Sequence, residues 1–490
     1  MRTTPLAALC AVAAALSCTL SVSLAAPTPM TPPPSPAARI SPSPTPRAAA
    51  TARATQTSPA IQPSAGNAPS PLPTELSLAQ AEAIALASSP ELEIGRAVVN
   101  QNAAGIGIAR SAELPNISAD ANYSRAKSNI ATSGSGTGTG RAGGSSVPVV
   151  FTQNNGAVTL RQLVLDGGRV NAQVQAARYS TDAAKLSLLR QIQSVLFSVA
   201  QEYFTALQAR HQLQAALRSL DVAKVQQHLV EAQFRAGVAS KADLLTAQLP
   251  VAQAEVGVAT AQNGEALNVA SLLTTMGIPA TTPVTLKDDT AVAGLQPKLD
   301  VILDEALHQR TDLSAARATV QQAHANVRAA KLAAFPLVGA TASSGSASTA
   351  PNGQIYAANW SIGASVSVPL YSGGLIRSQA DQARAIEQQA EASLKSTQLN
   401  VYQNVQQAFL QLGTASSSLN AAKVALDQAR VVLDVTNAQY KAGVTTLPLL
   451  LNAQSQLTTA QSNYVQALYA YKIAEQNLLF AEGTIAPTSS

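Results

Sequence analysis

The sequence has few aromatic residues, few charges and almost no cysteine. Of 490 residues only 4% are aromatic and 12% are charged. This composition argues against several compact, aromatic-rich cores and favours long helices. Cys10 and Cys18 are the only cysteines, so the chain beyond them has no thiol for a disulfide, a metal site or a nucleophile.

Long apolar runs are also lacking. No stretch beyond the N-terminal segment reaches 18 apolar residues, so no transmembrane helix is predicted. The N-terminal segment combines Arg2, an apolar stretch and small residues up to Ala26, which predicts a signal peptide over residues 1–25 and export from the cytoplasm. The alternative is a lipoprotein modified at Cys18, although residues 15–17 fit such a site poorly.

Acidic residues are missing from the next segment. Residues 27–74 contain 14 of the 27 prolines and no acid, which predicts a disordered, Pro-rich linker over residues 26–75. Residues 1–74 hold four arginines, so only +1 of the formal net charge of +5 belongs to residues 75–490. The basic balance is therefore no evidence for a nucleic-acid partner, and none is expected.

The rest of the chain is a tandem duplication. An offset of 206 residues aligns several motifs of the two copies: Asp166-Gly167-Gly168 with Ser372-Gly373-Gly374, Ala236-Gly237-Val238 with Ala442-Gly443-Val444, and Leu272-Leu273 with Leu478-Leu479. We predict a first repeat over residues 76–280, a connector over 281–298, a second repeat over 299–483 and a tail over 484–490. Each repeat is expected to be a helix, two strands and two helices.

The long helix of each repeat is expected to begin at the double glycine, with Asp166 and Ser372 as N-cap residues. Residues 169–235 contain no proline or glycine, and as one helix they would span ~100 Å. Apolar residues recur along this run at alternating spacings of three and four, which indicates a coiled-coil seam. Gly237 and Gly443 then end the two helices, so each repeated phrase forms the tip of a helical hairpin. The tip is either a simple glycine cap or also a docking or gating surface.

Alternating residues predict four strands. In residues 359–371 and 117–123 apolar side chains alternate with small polar ones, as in a membrane β-barrel or in a soluble sheet with one wet face. If the sheet spans a membrane, four strands cannot close on themselves, because the smallest membrane barrels have about eight strands. Such a chain would have to assemble with other copies.

The duplicated halves, the strand that leads into Asp/Ser-Gly-Gly and the Gly-Val tips resemble the TolC-like outer-membrane efflux proteins over residues 76–482. The resemblance implies an α+β membrane protein: a homotrimer in which duplicated helical hairpins form an α-barrel, continuous with a 12-strand outer-membrane β-barrel to which each protomer gives four strands. It also implies cargo handed over by an inner-membrane transporter and a periplasmic adaptor, as in tripartite efflux or type I secretion. The adaptor would meet the tips, and the surrounding lipid would be that of the outer membrane.

The gate residues of that family carry over in part. In relatives, an acid after the first tip bonds to a Tyr and an Arg of the second hairpin and keeps the mouth closed. Asp243 and Tyr440 match, but Thr445 stands in place of the Arg, so a looser latch is expected. Two acids that form carboxylate rings in some relatives align with Leu449 and Asn452, which puts a cation-binding ring in doubt. Alternatively, Asp243 is an ordinary carboxylate in the first turn of a helix.

Two other classes of function fit the sequence less well. The four histidines lack the HExxH spacing and cysteine partners of metal sites, and no GxSxG or phosphate-binding Gly-Lys-Ser/Thr motif is present, so neither an enzyme nor a cofactor is expected. A secreted or periplasmic coiled-coil scaffold without transport activity is the alternative. It explains the heptads but not the two strand pairs in matching places.

Overall fold

The computed structural model describes residues 75–131, 146–288, 298–350 and 357–486. All of them belong to one compact unit, Pro69–Ser490. The predicted signal peptide, nearly all of the Pro-rich linker, the Gly/Ser-rich loop at 132–145 and the end of the tail lie outside the described residues.

The described chain holds eight helices and six strands. The helices are α1 Leu78–Ser88, α2 Pro90–Ser111, α3 Arg169–Arg235, α4 Lys241–Thr275, α5 Leu299–Gln309, α6 Thr311–Leu332, α7 Leu375–Lys441 and α8 Leu447–Glu482. The strands are β1 Glu75–Leu76, β2 Asn116–Ala131, β3 Ser146–Leu165, β4 Thr285–Leu286, β5 Leu337–Ala350 and β6 Ala357–Ser367.

The element order repeats along the chain. The paired helices α1 and α5 have 11 residues each, α2 and α6 have 22, and α3 and α7 have 67. The sequence predicted one helix before the strands of each repeat, and this is wrong, because two helices stand there. Ser89 and Arg310 break the helix in extended conformation, with ψ of 121° and 119°. In the first repeat Pro90 follows the break, and proline restricts the residue before it to such a conformation. The exact repeat boundaries stay a prediction.

Four strands form one antiparallel sheet in the order β2-β3-β5-β6. Directly opposed residues share a face, so the ladder identifies two faces. One row reads Ile117–Leu160–Ala342–Ile362 and the next Ser118–Thr159–Ser343–Ser361. The predicted alternation is thus confirmed for β2 and β6, whereas in β5 Ser344 and Ser346 lie on the otherwise apolar face. β6 ends at Ser367 rather than at the predicted residue 371; Pro369, which has no N–H to donate to a ladder, follows shortly after.

The core lies where the long helices cross the short elements. Tyr203 of α3 is 1% exposed and donates its hydroxyl to the carbonyls of Leu76 and Lys287, at 3.0 and 2.6 Å, next to the parallel pair β1–β4. The middle of the predicted α3 seam is buried, including Leu196 and Val199. Leu189, where the seam begins, and Leu217, close to its other end, are exposed in the single chain.

Hydropathy along the helices is low. None of the described helices combines the length and the apolar character that a membrane span requires.

Candidate functional site

The two hairpin tips have the same backbone geometry. Gly237 and Gly443 have φ of +75° and +72°, values that residues with a Cβ rarely adopt. The amide of Gly237 donates to Phe234 at 3.0 Å and that of Val238 to Gln233 at 2.9 Å. These two hydrogen bonds are a Schellman motif, which satisfies the last carbonyls of α3. The second tip repeats it at Gly443 and Val444.

The tips present apolar side chains to solvent. Val238 is 80% and Val444 78% exposed, and the preceding Ala236 and Ala442 are exposed too. The Schellman hydrogen bonds hold these side chains on a rigid turn. A helix cap does not need a valine at this position. An exposed valine at the tip of each hairpin therefore suits contact with another protein.

The tips of the two hairpins pack against each other. Val230 of α3, Ala247 of α4 and Leu447 of α8 form a small buried cluster, with Tyr440 of α7 packed on it. The hydroxyl of Tyr440 lies 3.4 Å from Oε1 of Gln233. The described chain therefore joins the first and second hairpins at their tips by apolar contacts and one long hydrogen bond.

The carboxylate of Asp243 lies in a capping box at the start of α4. Its Oδ2 accepts from the hydroxyl of Ser240 at 2.7 Å and from the backbone amide of Ser240 at 3.0 Å. In return, the amide of Asp243 donates to the hydroxyl of Ser240 at 3.1 Å. The hydroxyl and then the amide of Ser240 lower the pKa of the Asp243 carboxyl. Within the described part of one chain, the Asp243 carboxylate thus bonds to the start of its own helix, and the Tyr440 hydroxyl bonds to Gln233.

The remaining gate candidates lie along the start of α8. Thr445 is half-buried just before the helix, whereas Leu449 and Asn452 are exposed in its first two turns. Asn452 accepts from the side-chain amide of Gln456 at 3.2 Å. No charged residue occurs between Lys441 and Lys472, so this segment has no carboxylate that could hold a cation.

The double glycines turn each sheet strand into its long helix. Gly168 and Gly374, both left-handed, occupy the N-cap positions that the sequence analysis assigned to Asp166 and Ser372. The Asp166 carboxylate nevertheless satisfies the first turn, because it accepts from the amides of Gly168, at 2.9 Å, and Val170. The hydroxyl of Ser372 accepts one long hydrogen bond from the amide of Ile376, at 3.5 Å.

At Gly167 there is a second reason for glycine. An added Cβ there would lie 2.6 Å from Cβ of Phe335, at the end of α6. The matching Gly373 has open space around it. Glycine at position 167 therefore avoids a clash with Phe335, whereas at Gly373 only the φ of +59° favours glycine.

Two arginines that no sequence pattern singles out lie against the end of α8; Arg310 is buried and Arg190 is half-buried. Arg310, whose side chain is 3% exposed, donates from Nε to Asp312 at 3.0 Å and from a second nitrogen to the Ala481 carbonyl at 3.2 Å. Arg190 of α3 lies 3.8 Å from the centre of the Phe480 ring and donates to the Phe480 carbonyl at 3.0 Å. Burial first, and then the charge of Arg310, lower the pKa of Arg190 to about 10. The only sequence signal was that Arg310 stands where the first repeat has Ser89.

Within the described part of the chain, no three or more His, Cys, Asp or Glu side chains are arranged to hold a metal ion. His211 instead bonds Asp288, with Nε2 2.9 Å from Oδ2, and stacks on Tyr469. This histidine ties α3 to the segment after β4.

Comparison with known proteins agrees with this architecture. The chain is 28% identical over 399 residues to protein CyaE of Bordetella pertussis, which covers 80% of each chain. It is 26% identical over 408 residues to the outer membrane protein TolC of Escherichia coli, again covering 80% of both. The crystal structure of the Campylobacter jejuni CmeC outer membrane channel has the same fold, with a TM-score of 0.68 at 18% identity over 84% of this chain and 87% of that one.

A family model described as outer membrane efflux protein matches residues 83–277 and 302–484, which is most of the chain and both of its repeats. The family and the fold are those of channels rather than enzymes. The chain belongs to the outer membrane efflux protein family, and its place is the outer membrane, from which it extends into the periplasm.

Proposed function

We propose that three copies of this chain form the outer-membrane conduit of a tripartite efflux or type I secretion system. The observation that carries this proposal is the four-stranded sheet with an apolar and a polar face, continued directly into two 67-residue helices. In hydrocarbon, the open edges of such a sheet leave backbone groups unpaired. Three sheets closed into one twelve-strand barrel remove every edge, and the long hairpins below then form the wall of a periplasmic tunnel.

We infer the partners from the family, and the exposed tips support the inference. An inner-membrane transporter would deliver cargo through a periplasmic adaptor, which binds the exposed turns Ala236-Gly237-Val238 and Ala442-Gly443-Val444. Support comes from the two exposed valines on rigid Schellman turns. Protein CyaE and the outer membrane protein TolC each align with 80% of this chain and with 80% of their own length.

The tips also form the gate in this proposal. Asp243 of one hairpin and Tyr440 with Thr445 of another close the mouth, and Leu449 and Asn452 line it without charge. Among the described residues of one chain, the Asp243 carboxylate bonds only Ser240, so the partner groups of the latch would come from a neighbouring copy. The lack of charge between Lys441 and Lys472 supports a mouth without a cation-binding ring.

Molar mass and conductance test the proposal together. The full chain, purified in detergent, should have about three times the mass of one polypeptide by light scattering with the micelle subtracted. In planar bilayers it should give discrete single-channel steps. A monomer that stays in water without detergent and gives no conductance would support the coiled-coil scaffold instead.

A further inference from the structure

The apolar face of the sheet ends in two basic residues. The ladder rows Ala119–Val158–Ser344–Trp360 and Ile117–Leu160–Ala342–Ile362 define this face. Tyr123 and the chain's single Trp, Trp360, lie on it and are 67% and 76% exposed. Aromatic residues at the border of an apolar band are typical of the surface that a barrel turns towards lipid.

Arg125 and Lys127 lie on the same face, beyond Tyr123. They are two and four residues further along β2, opposite Thr152 and Val150, and side chains two apart point to the same side of a strand. Both are exposed. From Ile117 to Arg125 the strand runs roughly 27 Å, about 20 Å of membrane height at the usual tilt of barrel strands. The two bases therefore stand at the border of the apolar band that lies away from the helices.

The described strands place no acid beside these two bases. Among the described residues neither base takes part in an ion pair. Residues 121–165 contain no Asp or Glu, and residues 337–371 contain no charged residue at all. The nearest acid on the strand, Asp120, points to the opposite face. A neighbouring copy that pairs along the sheet edge would bring only the same uncharged hairpin.

We propose that Arg125 and Lys127 bind the phosphate groups of an anionic lipid in the outer leaflet of the outer membrane. The proposal rests on the barrel assembly proposed above, since it needs the apolar face to meet lipid. The helices extend into the periplasm, so the sheet end that carries the bases is the outer one. Arg and Lys at a membrane surface attract anionic headgroups, and a guanidinium donates two parallel hydrogen bonds to one phosphate. The side chains lie about 7 Å apart along the strand, close enough to share one headgroup.

Lipid binding by the purified, full-length assembly tests the proposal. Native mass spectrometry in detergent would count bound molecules of a lipid A that carries two phosphates, at increasing lipid concentration. Arg125→Gln/Lys127→Gln should raise the half-saturating concentration about tenfold, since each base near a charged membrane surface contributes several-fold to affinity. The single variants should each raise it less, and they serve if the double variant does not assemble.

Two matched variants separate charge from position. Arg125→Lys/Lys127→Arg keeps both charges and should stay within about twofold of the wild type. Arg161→Gln removes a base from the opposite face near the helices and should bind as the wild type does. With the same lipid stripped of its phosphates, all variants should bind alike.

Two results would overturn the lipid site: an unchanged midpoint in both the single and the double Gln variants, or equal wild-type binding of the lipid without phosphates. Single-channel conductance, measured on the same preparations, should be unaffected by the Gln variants. If the wild type conducts and the midpoints do not move, only the lipid site is wrong. If the wild type forms no channel, the barrel assembly itself fails.

Discussion

At the scale of single residues, each hairpin tip depends on one glycine in the left-handed region. Gly237→Ala should destabilise the first tip by about 1–2 kcal/mol, because a Cβ clashes with its own backbone there. The amides of Val238 and Ala239, which both donate to Gln233, should exchange with deuterium roughly tenfold faster.

Gly257→Ala is the control, since Gly257 is an exposed position inside α4 with open space around it. It should instead stabilise the helix by about 0.5–1 kcal/mol; equal protection in both variants would contradict the Schellman account.

Asp243 has two proposed roles, as a helix cap and as part of the latch, and different variants separate them. Ser240→Ala and Asp243→Ala both remove the capping box, and both should loosen the first turn of α4. Only Asp243→Ala also removes the latch, so it alone should raise single-channel conductance and drug leakage. If the two variants conduct alike, or if conductance stays at the wild-type value, Asp243 is only a helix cap.

The pH dependence of this cap follows from the sign of the shift. The pKa of Asp243 is lowered in the folded chain. Its stabilising effect is therefore present above the unfolded pKa and is lost as the pH falls through the lower folded value. Protection from hydrogen exchange at the start of α4, taken relative to the rate of an unstructured peptide at each pH, should fall only in that acidic window. Asp243→Asn should abolish this change in protection.

Asp312 is the acid that contacts both arginines at the end of α8. Burial alone would raise the pKa of Asp312, but hydrogen bonds and charge from Arg310, together with Arg190, outweigh it and lower the pKa. Asp312→Asn leaves a buried guanidinium without an anion and should destabilise the fold by about 3 kcal/mol at neutral pH. The difference from the wild type should shrink as the pH falls below about 4, because protonation of Asp312 has the same effect.

Denaturant unfolding in detergent would measure this difference. Asp381→Asn removes an exposed pair with Arg384 and should change the free energy of unfolding by less than about 0.5 kcal/mol. Equal effects of the two variants would show that the buried network contributes no more than a surface ion pair.

At the scale of elements, the return helices differ at one aligned position. Pro250 lies inside α4, whereas Gln456 holds the matching place in α8. A proline inside a helix has no N–H for the carbonyl four residues earlier and costs about 3 kcal/mol. Pro250→Gln should therefore stabilise the first hairpin by about 1–3 kcal/mol, and Gln456→Pro should destabilise the second by about 3 kcal/mol. Hydrogen exchange of the two helices would measure both changes in stability. If these opposite changes do not appear, side-chain packing rather than the helix backbone determines the stability of the two helices.

Elements differ in how far the sequence reveals them. The bounds of α3 were predictable because residues 169–235 contain no proline or glycine while glycines stand on both sides. The two faces of the sheet were predictable from the alternation of apolar and small polar residues along the strands. In contrast, β1 and β4 have two residues each and pair across 210 positions, so no periodicity reveals them. Arg310 finds the Ala481 carbonyl 171 residues away, a contact that depends on how the repeats pack.

At the scale of the whole molecule, the strand order leaves two edges to be paired. β2 and β6 are the outer strands of the sheet and run in opposite directions. If β2 of one copy pairs with β6 of the next, the antiparallel alternation continues across the seam. Leu189 and Leu217, which are exposed at or close to the ends of the α3 seam, would be covered by the neighbouring hairpins in the same ring. Closing the ring in this way would pair the backbone groups of both edge strands and also cover the exposed leucines of the α3 seam.

Engineered cysteines test this closure directly, because Cys10 and Cys18 are the only native ones. Ala121→Cys on β2, combined in turn with cysteine at Trp360, Ile362 or Ala364 on β6, should give oxidised dimers and trimers on denaturing gels for at least one pair. Strands in a ladder lie about 4.8 Å apart, which is within reach of a disulfide. Val158→Cys/Ser344→Cys is the control, since these residues oppose each other within one chain and should crosslink without a change of mass. Only monomers from every β2–β6 pair, with the control pair oxidised, would exclude a seam between neighbouring copies.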